Sequence, residues 1–229
     1  MNIDKVNCFH QSKEFKFLSN MEVCEIHDRY KLMYPSNENF YQAIKLDPCS
    51  QPAKAMPWYK EVTSKINPQL QQQYHIASVD QISFLFHEIK TSDPNSDFKK
   101  NMEGRLIKEF RRIFTVVSPL KSKEIGKNCP LQRGWNQEHL NGKTLKECVM
   151  EEGLRQKFSL KNAVLLDKLI KTDGIQLEEG NWWGDKFWGV AYKNKEDAFQ
   201  GINSLGGSNL LGLSLMKIRD EAKAVRNIS

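Results

Sequence analysis

Apolar positions alternate early in the chain and recur at helical spacing afterwards. Val23, Cys24, Ile26, Tyr30, Leu32 and Met33 form a short alternating pattern broken by His27, Asp28 and Arg29, which predicts a hairpin turning there. Pro35 is expected to end the second strand, and Ser36 to cap the helix that follows. In "YPSNENFYQAIKL", residues 34–46, Phe40, Ala43 and Ile44 give that helix its apolar side. The Pro-rich "DPCSQPAKAMPWYKEV" after it reads as a loop. Spacings of three and four then predict a helix through Ile76, Val79, Ile82, Phe86 and Ile89. An amphipathic helix through Met102, Leu106, Ile107, Phe110, Ile113 and Phe114 comes next, with Lys99, Lys108, Arg111 and Arg112 on its basic outer face. Residues 118–144 read as a loop or two short elements. Two helices follow, one carrying Val149, Leu154 and Phe158, the other Ala163, Leu166, Leu169 and Ile170, closed by Asp173-Gly174. "IQLEEGNWWGDKFWGVAY" reads as strand–turn–strand, and a last helix runs from about Ser208 to Lys223. The pattern is that of an α+β, mainly helical chain, with no repeat or low-complexity tract.

Composition narrows the class. A chain of 229 residues is one compact domain with insertions rather than two ordinary domains. Its 12 Phe, 6 Tyr and 5 Trp are ample for a core, which excludes a disordered chain. No apolar run is long enough for a membrane span. The polar start "MNIDKVNCFHQSKEF" has no apolar signal region. The five cysteines, at 8, 24, 49, 129 and 148, are widely spaced with no CxxC, which favours free thiols and a cytoplasmic setting. No HExxH or paired His and Cys spacing points to a metal, and no cofactor motif is present. The net charge of +6 and pI near 9.0 would help an anionic ligand or a nucleic acid approach.

The polar residues of the 34–46 helix carry the candidate chemistry. Glu38, Gln42 and Lys45 stand at i, i+4 and i+7, so a carboxylate, an amide and an amine share one face. On an exposed face such a stripe contributes only a few tenths of a kcal/mol. In a closed pocket it brings an acid/base and a nucleophile to one ligand.

Six segments, in order, resemble the NADAR superfamily of YbiA-like proteins. They are "FKFLSN" (15–20), "YPSNENFYQAIKL" (34–46), "IGKNCPLQRGW" (125–135), "VMEEGLRQKF" (149–158), "GDKFWG" (184–189) and "NLLGLSLMKIRDE" (209–221). Lys127 stands where the family usually has Arg, and residues 47–123 look like a helical insertion into a single NADAR-like domain. "GINSLGG" offers Asn203 as an alternative to Asn209, but Asn209 brings Leu215-Met216 and Arg219 into register.

The resemblance implies a compact, mainly helical N-glycosidase acting on ribose joined to an exocyclic amine. It implies one of two substrates: guanine in nucleic acid carrying ADP-ribose, the product of an ADP-ribosyltransferase, or a phosphorylated ribosylamino-pyrimidine of riboflavin synthesis. A non-catalytic ADP-ribose reader is the third alternative. Carried onto this chain, Glu38 is the expected general acid/base, Lys45 the Schiff-base nucleophile and Asp185 a sugar-hydroxyl or acid/base partner. Trp188 is expected to stack on a base with Gly189 beside it, Asn209 to help hold phosphate, and Asn20, Tyr41 and Gln42 to contact the ligand.

Overall fold

A computed structural model describes residues 4–9 and 13–226. Residues 1–3 and 10–12 of the polar start lie outside them, and with them part of the stretch read as lacking a signal region. In chain order the elements are β1 (Lys5–Val6), β2 (Val23–His27), β3 (Met33–Ser36), α1 (Asn37–Lys45), α2 (Pro52–Ser64), α3 (Pro68–Gln73), α4 (Val79–Thr91), α5 (Asp97–Val116), α6 (Pro119–Gly126), β4 (Glu138–Leu140), β5 (Lys143–Thr144), α7 (Leu145–Lys157), α8 (Ala163–Ile170), β6 (Gln176–Leu177), β7 (Gly180–Asn181), β8 (Val190–Ala191), α9 (Lys195–Gln200) and α10 (Leu210–Arg226). The fold is mainly helical α+β, with sheets of two strands each among the described residues. Two compact units form: Met1–Glu22 with Leu154–Ser229, and Val23–Gly153.

In the Val23–Gly153 unit, β2 and β3 pair antiparallel, Ile26 facing Tyr34 and His27 facing Met33. The turn is set by Asp28, whose Oδ1 accepts from the Tyr30 and Leu32 amides at 2.9 and 3.1 Å. Pro35 lies inside β3 instead of ending it. The register shifts between Val23 and Ile26 opposite it, and such an irregularity tolerates a residue without an N–H.

The segment from Pro52 is a helix, not a loop. Pro52 takes the first turn, where its missing N–H costs nothing, and Pro57 sits on the exposed side. Ala55, Trp58, Tyr59 and Val62 are buried at helical spacing. The helix expected through Ile76 to Ile89 starts later, at Val79, since Ser78 and Gln81 form a capping box that opens α4 afresh after α3.

The core of this unit is aromatic. Phe110 of α5 stacks on Trp58 (centroids 5.8 Å apart), tilts against Tyr59 at 4.7 Å and meets Phe86 edge-on. Burying a Phe side chain stabilises by about 1.5–3 kcal/mol. α5 also packs directly on α1, so this part of the 47–123 stretch is core.

Arg111 corrects the reading of α5 as having an unbroken basic outer face. Its guanidinium is buried, 3.8 Å from Asp28, and donates to the Ile44 carbonyl at 3.3 Å near the C-terminus of α1. A cation there meets an orphan carbonyl and the negative end of the helix dipole. Arg112 is held by both oxygens of Glu109.

In the other unit, β1 pairs parallel with β6, Lys5 beside Gln176 and Val6 beside Leu177. β7 and β8 also pair parallel, Gly180 beside Val190. The expected strand–turn–strand is therefore not a hairpin. α10 packs on α8 and β6 through Leu211, Leu215 and Ile218. Arg219 donates to the Thr172 and Ile175 carbonyls at 2.8 and 2.7 Å, tying α10 to the turn after α8.

Candidate active site

Helix α1 begins at the expected cap. The Ser36 hydroxyl accepts from the Asn39 amide at 3.2 Å, and Asn39 donates to the Phe114 and Val117 carbonyls, both at 2.8 Å, closing the end of α5. These bonds seat the helix between hairpin and α5, so its polar residues go inside. Glu38 and Gln42 are each only 7% exposed, and Tyr41 is buried with them. This is not the solvated stripe that spacing alone allows.

Gln42 Nε2 donates to Glu38 Oε1 at 2.8 Å, joining the two across one turn. The Tyr41 ring lies against Trp135, centroids 5.2 Å apart. The 129–135 segment is pinned to the end of α1: the Lys45 carbonyl accepts from Gln132 N at 2.8 Å, and the Pro130 carbonyl from Asp47 N at 2.9 Å. That pairing sets Cys129 beside Lys45.

Lys45 is half-buried, and burial pushes its ammonium below the ordinary lysine pKa. Cys129 and Glu38 oppose that shift, and Lys54 adds to it. Cys129 opposes only as a thiolate, and burial raises its own pKa, so at neutral pH the opposition rests on Glu38. The net direction is downward, as a nucleophilic amine requires. Glu38, Tyr41, Gln42 and Lys45 thus meet on one buried helix, with an aromatic wall and a lowered amine.

Asn20, Asp185, Trp188, Gly189 and Asn209 belong to the other compact unit. Asn20 follows Ser19, whose carbonyl accepts from the fully buried Lys157 ammonium at 2.6 Å. Asp185 Oδ1 accepts from the Phe187 and Trp188 amides, both at 3.0 Å, and so shapes the turn that presents Trp188. Trp188 is half-buried and edge-on to Phe187. Gly189 is required by a close approach, because a Cβ there would lie 2.0 Å from the Glu179 carbonyl oxygen. Asn209, at φ 49°, accepts from the Glu179 amide and donates to the Leu177 carbonyl, both at 3.0 Å. Its amide ties the start of α10 to the end of β6 and to the residues just beyond it. Asn203 bonds instead to Asp197 at 3.1 Å.

Sequence reading passed over three residues that build these sites. Trp135 walls Tyr41, Gly126 faces Gln42, and the buried Asn181 holds the Asp185 backbone by 2.9 and 2.7 Å bonds. Each lies in or beside a segment that carries the family resemblance, which was the available signal. Among the described residues no group of three or more His, Cys, Asp or Glu is placed to hold a metal. No helix among them is long and apolar enough to cross a membrane.

Comparison with known proteins agrees with the resemblance. Over 73 residues the chain is 37% identical to N-glycosidase R617 of Acanthamoeba polyphaga mimivirus. That match covers 32% of this chain and 42% of the relative, so the chain spans about two fifths of the relative's length. A family model for the NADAR domain matches residues 97–223; α1 precedes this stretch and α5 opens it. With more than half of its 229 residues matched, the chain belongs to the NADAR domain family.

Proposed function

We propose that the protein is an N-glycosidase that removes ADP-ribose from guanine bases in nucleic acid. The observation that carries the reading is the pairing on α1 of a buried carboxyl, Glu38, with an amine whose pKa burial lowers, Lys45. Family membership and the relative named N-glycosidase support glycosidic chemistry in general.

The bond joins ribose C1 to an exocyclic nitrogen. Proton transfer from Glu38 to the ring oxygen opens the sugar, leaving an iminium between C1 and that nitrogen. The neutral Lys45 amine adds to C1, and its excess proton passes to Glu38. Glu38 returns a proton to the departing nitrogen, which leaves as the free amine of guanine, and Lys45 remains joined to C1 as a Schiff base. Water adds to that imine, releasing the sugar aldehyde, which recloses, and regenerating Lys45. An oxocarbenium route would use Glu38 alone. The lowered Lys45 pKa favours the covalent route.

Asp185 and Asn209 support local backbone on this reading. Mass spectrometry of an oligonucleotide carrying ADP-ribosyl-guanine is the direct test. Wild type is expected to remove the ADP-ribose mass while Glu38→Gln leaves it in place yet still binds. An oligonucleotide untouched by wild type would refute the substrate, and the phosphorylated ribosylamino-pyrimidine becomes the next one to try. Borohydride added during turnover should leave a sugar adduct on Lys45; normal turnover by Lys45→Ala would rule the covalent route out.

A further inference from the structure

Gln42 lies between two very different neighbours. On one side its Nε2 donates to Glu38 Oε1 at 2.8 Å. On the other its Oε1 is buried and finds no hydrogen-bond donor among the described residues. A Cβ built on Gly126, the last residue of α6, would lie 2.1 Å from that Oε1, 2.8 Å from Cδ and 3.2 Å from Cγ. Real carbon atoms do not approach so closely, so any side chain at 126 would evict the amide from the place where it reaches Glu38.

Nothing else demands glycine at 126. Its φ is not in the left-handed region, and inside a helix alanine is favoured over glycine. The Nε2 group spends one of its two N–H donors on Glu38. The stranded oxygen has a chemical use. A general acid/base alternates between carboxylate and carboxylic acid. An amide can donate to the first through Nε2 and, reversed, accept from the second through Oε1. A group that can only donate, such as lysine, could not accept from the O–H of the acid form.

We propose that Gly126 and Gln42 are positioning residues: the missing side chain at 126 admits the Gln42 amide, and the amide holds the Glu38 carboxyl through both of its proton states. Neither residue touches the sugar. This rests on the reading of Glu38 as the acid/base, and it adds a specific dependence on a residue from a different helix.

The evicted group is the end of a flexible side chain, so Gly126→Ala should leave the fold nearly untouched while disturbing the chemistry. Kinetics of Gly126→Ala, Gln42→Met and the double variant, with melting temperatures for all three, test this. Each single variant is expected to lower kcat by about tenfold or more, the worth of a lost hydrogen bond to a charged group. KM should stay within about twofold, because the lost interaction is not with the substrate. The double variant should be no slower than the slower single one, since both remove the same contact. Wild-type kcat in a folded Gly126→Ala protein, or multiplying losses in the double variant, would overturn the role of Gly126. A Gln42→Met variant that raises KM at unchanged kcat would overturn positioning in favour of substrate contact; this arm stands even if Gly126→Ala fails to fold. Glu38→Gln in the same assay separates the outcomes. If it retains turnover, the acid/base reading itself has failed; if it is inactive while the other variants are normal, only the present inference has.

Discussion

Lys45 carries the sharpest consequence at the scale of single residues. Its ammonium is disfavoured in the folded state, mainly by burial. The unfolded chain therefore binds the proton more tightly than the native protein does. Between the native pKa and the unfolded value, near 10.4, stability rises with pH on account of this group. Below the native pKa the full cost is present; above the unfolded one it is gone. Lys45→Met, which keeps the stem and removes the charge, should therefore melt higher than wild type at pH 7, and the gain should shrink as pH approaches 10.5. Thermal melts at pH 7, 9 and 10.5 check this, and a gain that grows with pH would contradict the lowered pKa. The same residue would then be a stability cost retained for chemistry. Spacing made Glu38, Gln42 and Lys45 legible as one face, because helical periodicity is local. Their burial was not legible, because it comes from Asn39 reaching the end of α5 and from the pinned 129–135 segment.

At the scale of elements, the clearest case is the join between α1, α5 and the hairpin, where Arg111 meets Asp28 and the Ile44 carbonyl. Tyr34 donates at 2.9 Å to Asp28 Oδ2, the carboxylate oxygen that the two amides leave open, and its own pKa is pushed up by burial and then by Asp28. Arg111→Met would leave a buried carboxylate without its cation, a change that costs about 3–5 kcal/mol. Chemical denaturation should show a loss of that size, and Asp28→Asn together with Arg111→Met should cost less than the sum of the two single changes. Additive losses would mean that the two residues act separately. The pair was invisible to sequence reading, which saw four basic residues on one helix and assigned all four to solvent. α2 was missed for a related reason: two prolines look like breakers, yet one starts the helix and the other lies on its exposed side. The parallel pairings of β1 with β6 and β7 with β8 had no local signature, and the mirrored order of apolar residues around "GNWWGDKFWG" imitated a hairpin.

For the whole molecule, net charge of +6 is a weak guide to substrate until one knows which charges are available. On α5, Arg111 is buried, Arg112 is held by Glu109, and Lys100 pairs with Asp97. Lys99, Arg105 and Lys108 carry no ion pair among the described residues, so three cations of this helix are free to meet phosphate. Binding to a single strand loses affinity with salt at a logarithmic slope of roughly −0.7 for each phosphate neutralised, so about three contacts correspond to a slope near −2. If the substrate is nucleic acid and α5 contacts it, kcat/KM on a modified oligonucleotide should fall with that slope while kcat at saturation changes little. Replacing Lys99, Arg105 and Lys108 together by Ala should flatten the slope without altering turnover of a free ADP-ribosyl-nucleoside, since none of the three lies on α1. A steep slope unchanged by the triple variant would move the nucleic-acid contact to another surface. A flat slope in wild type would argue for a small phosphorylated substrate, leaving the chemistry of Glu38 and Lys45 as it stands and changing only what the sugar is attached to.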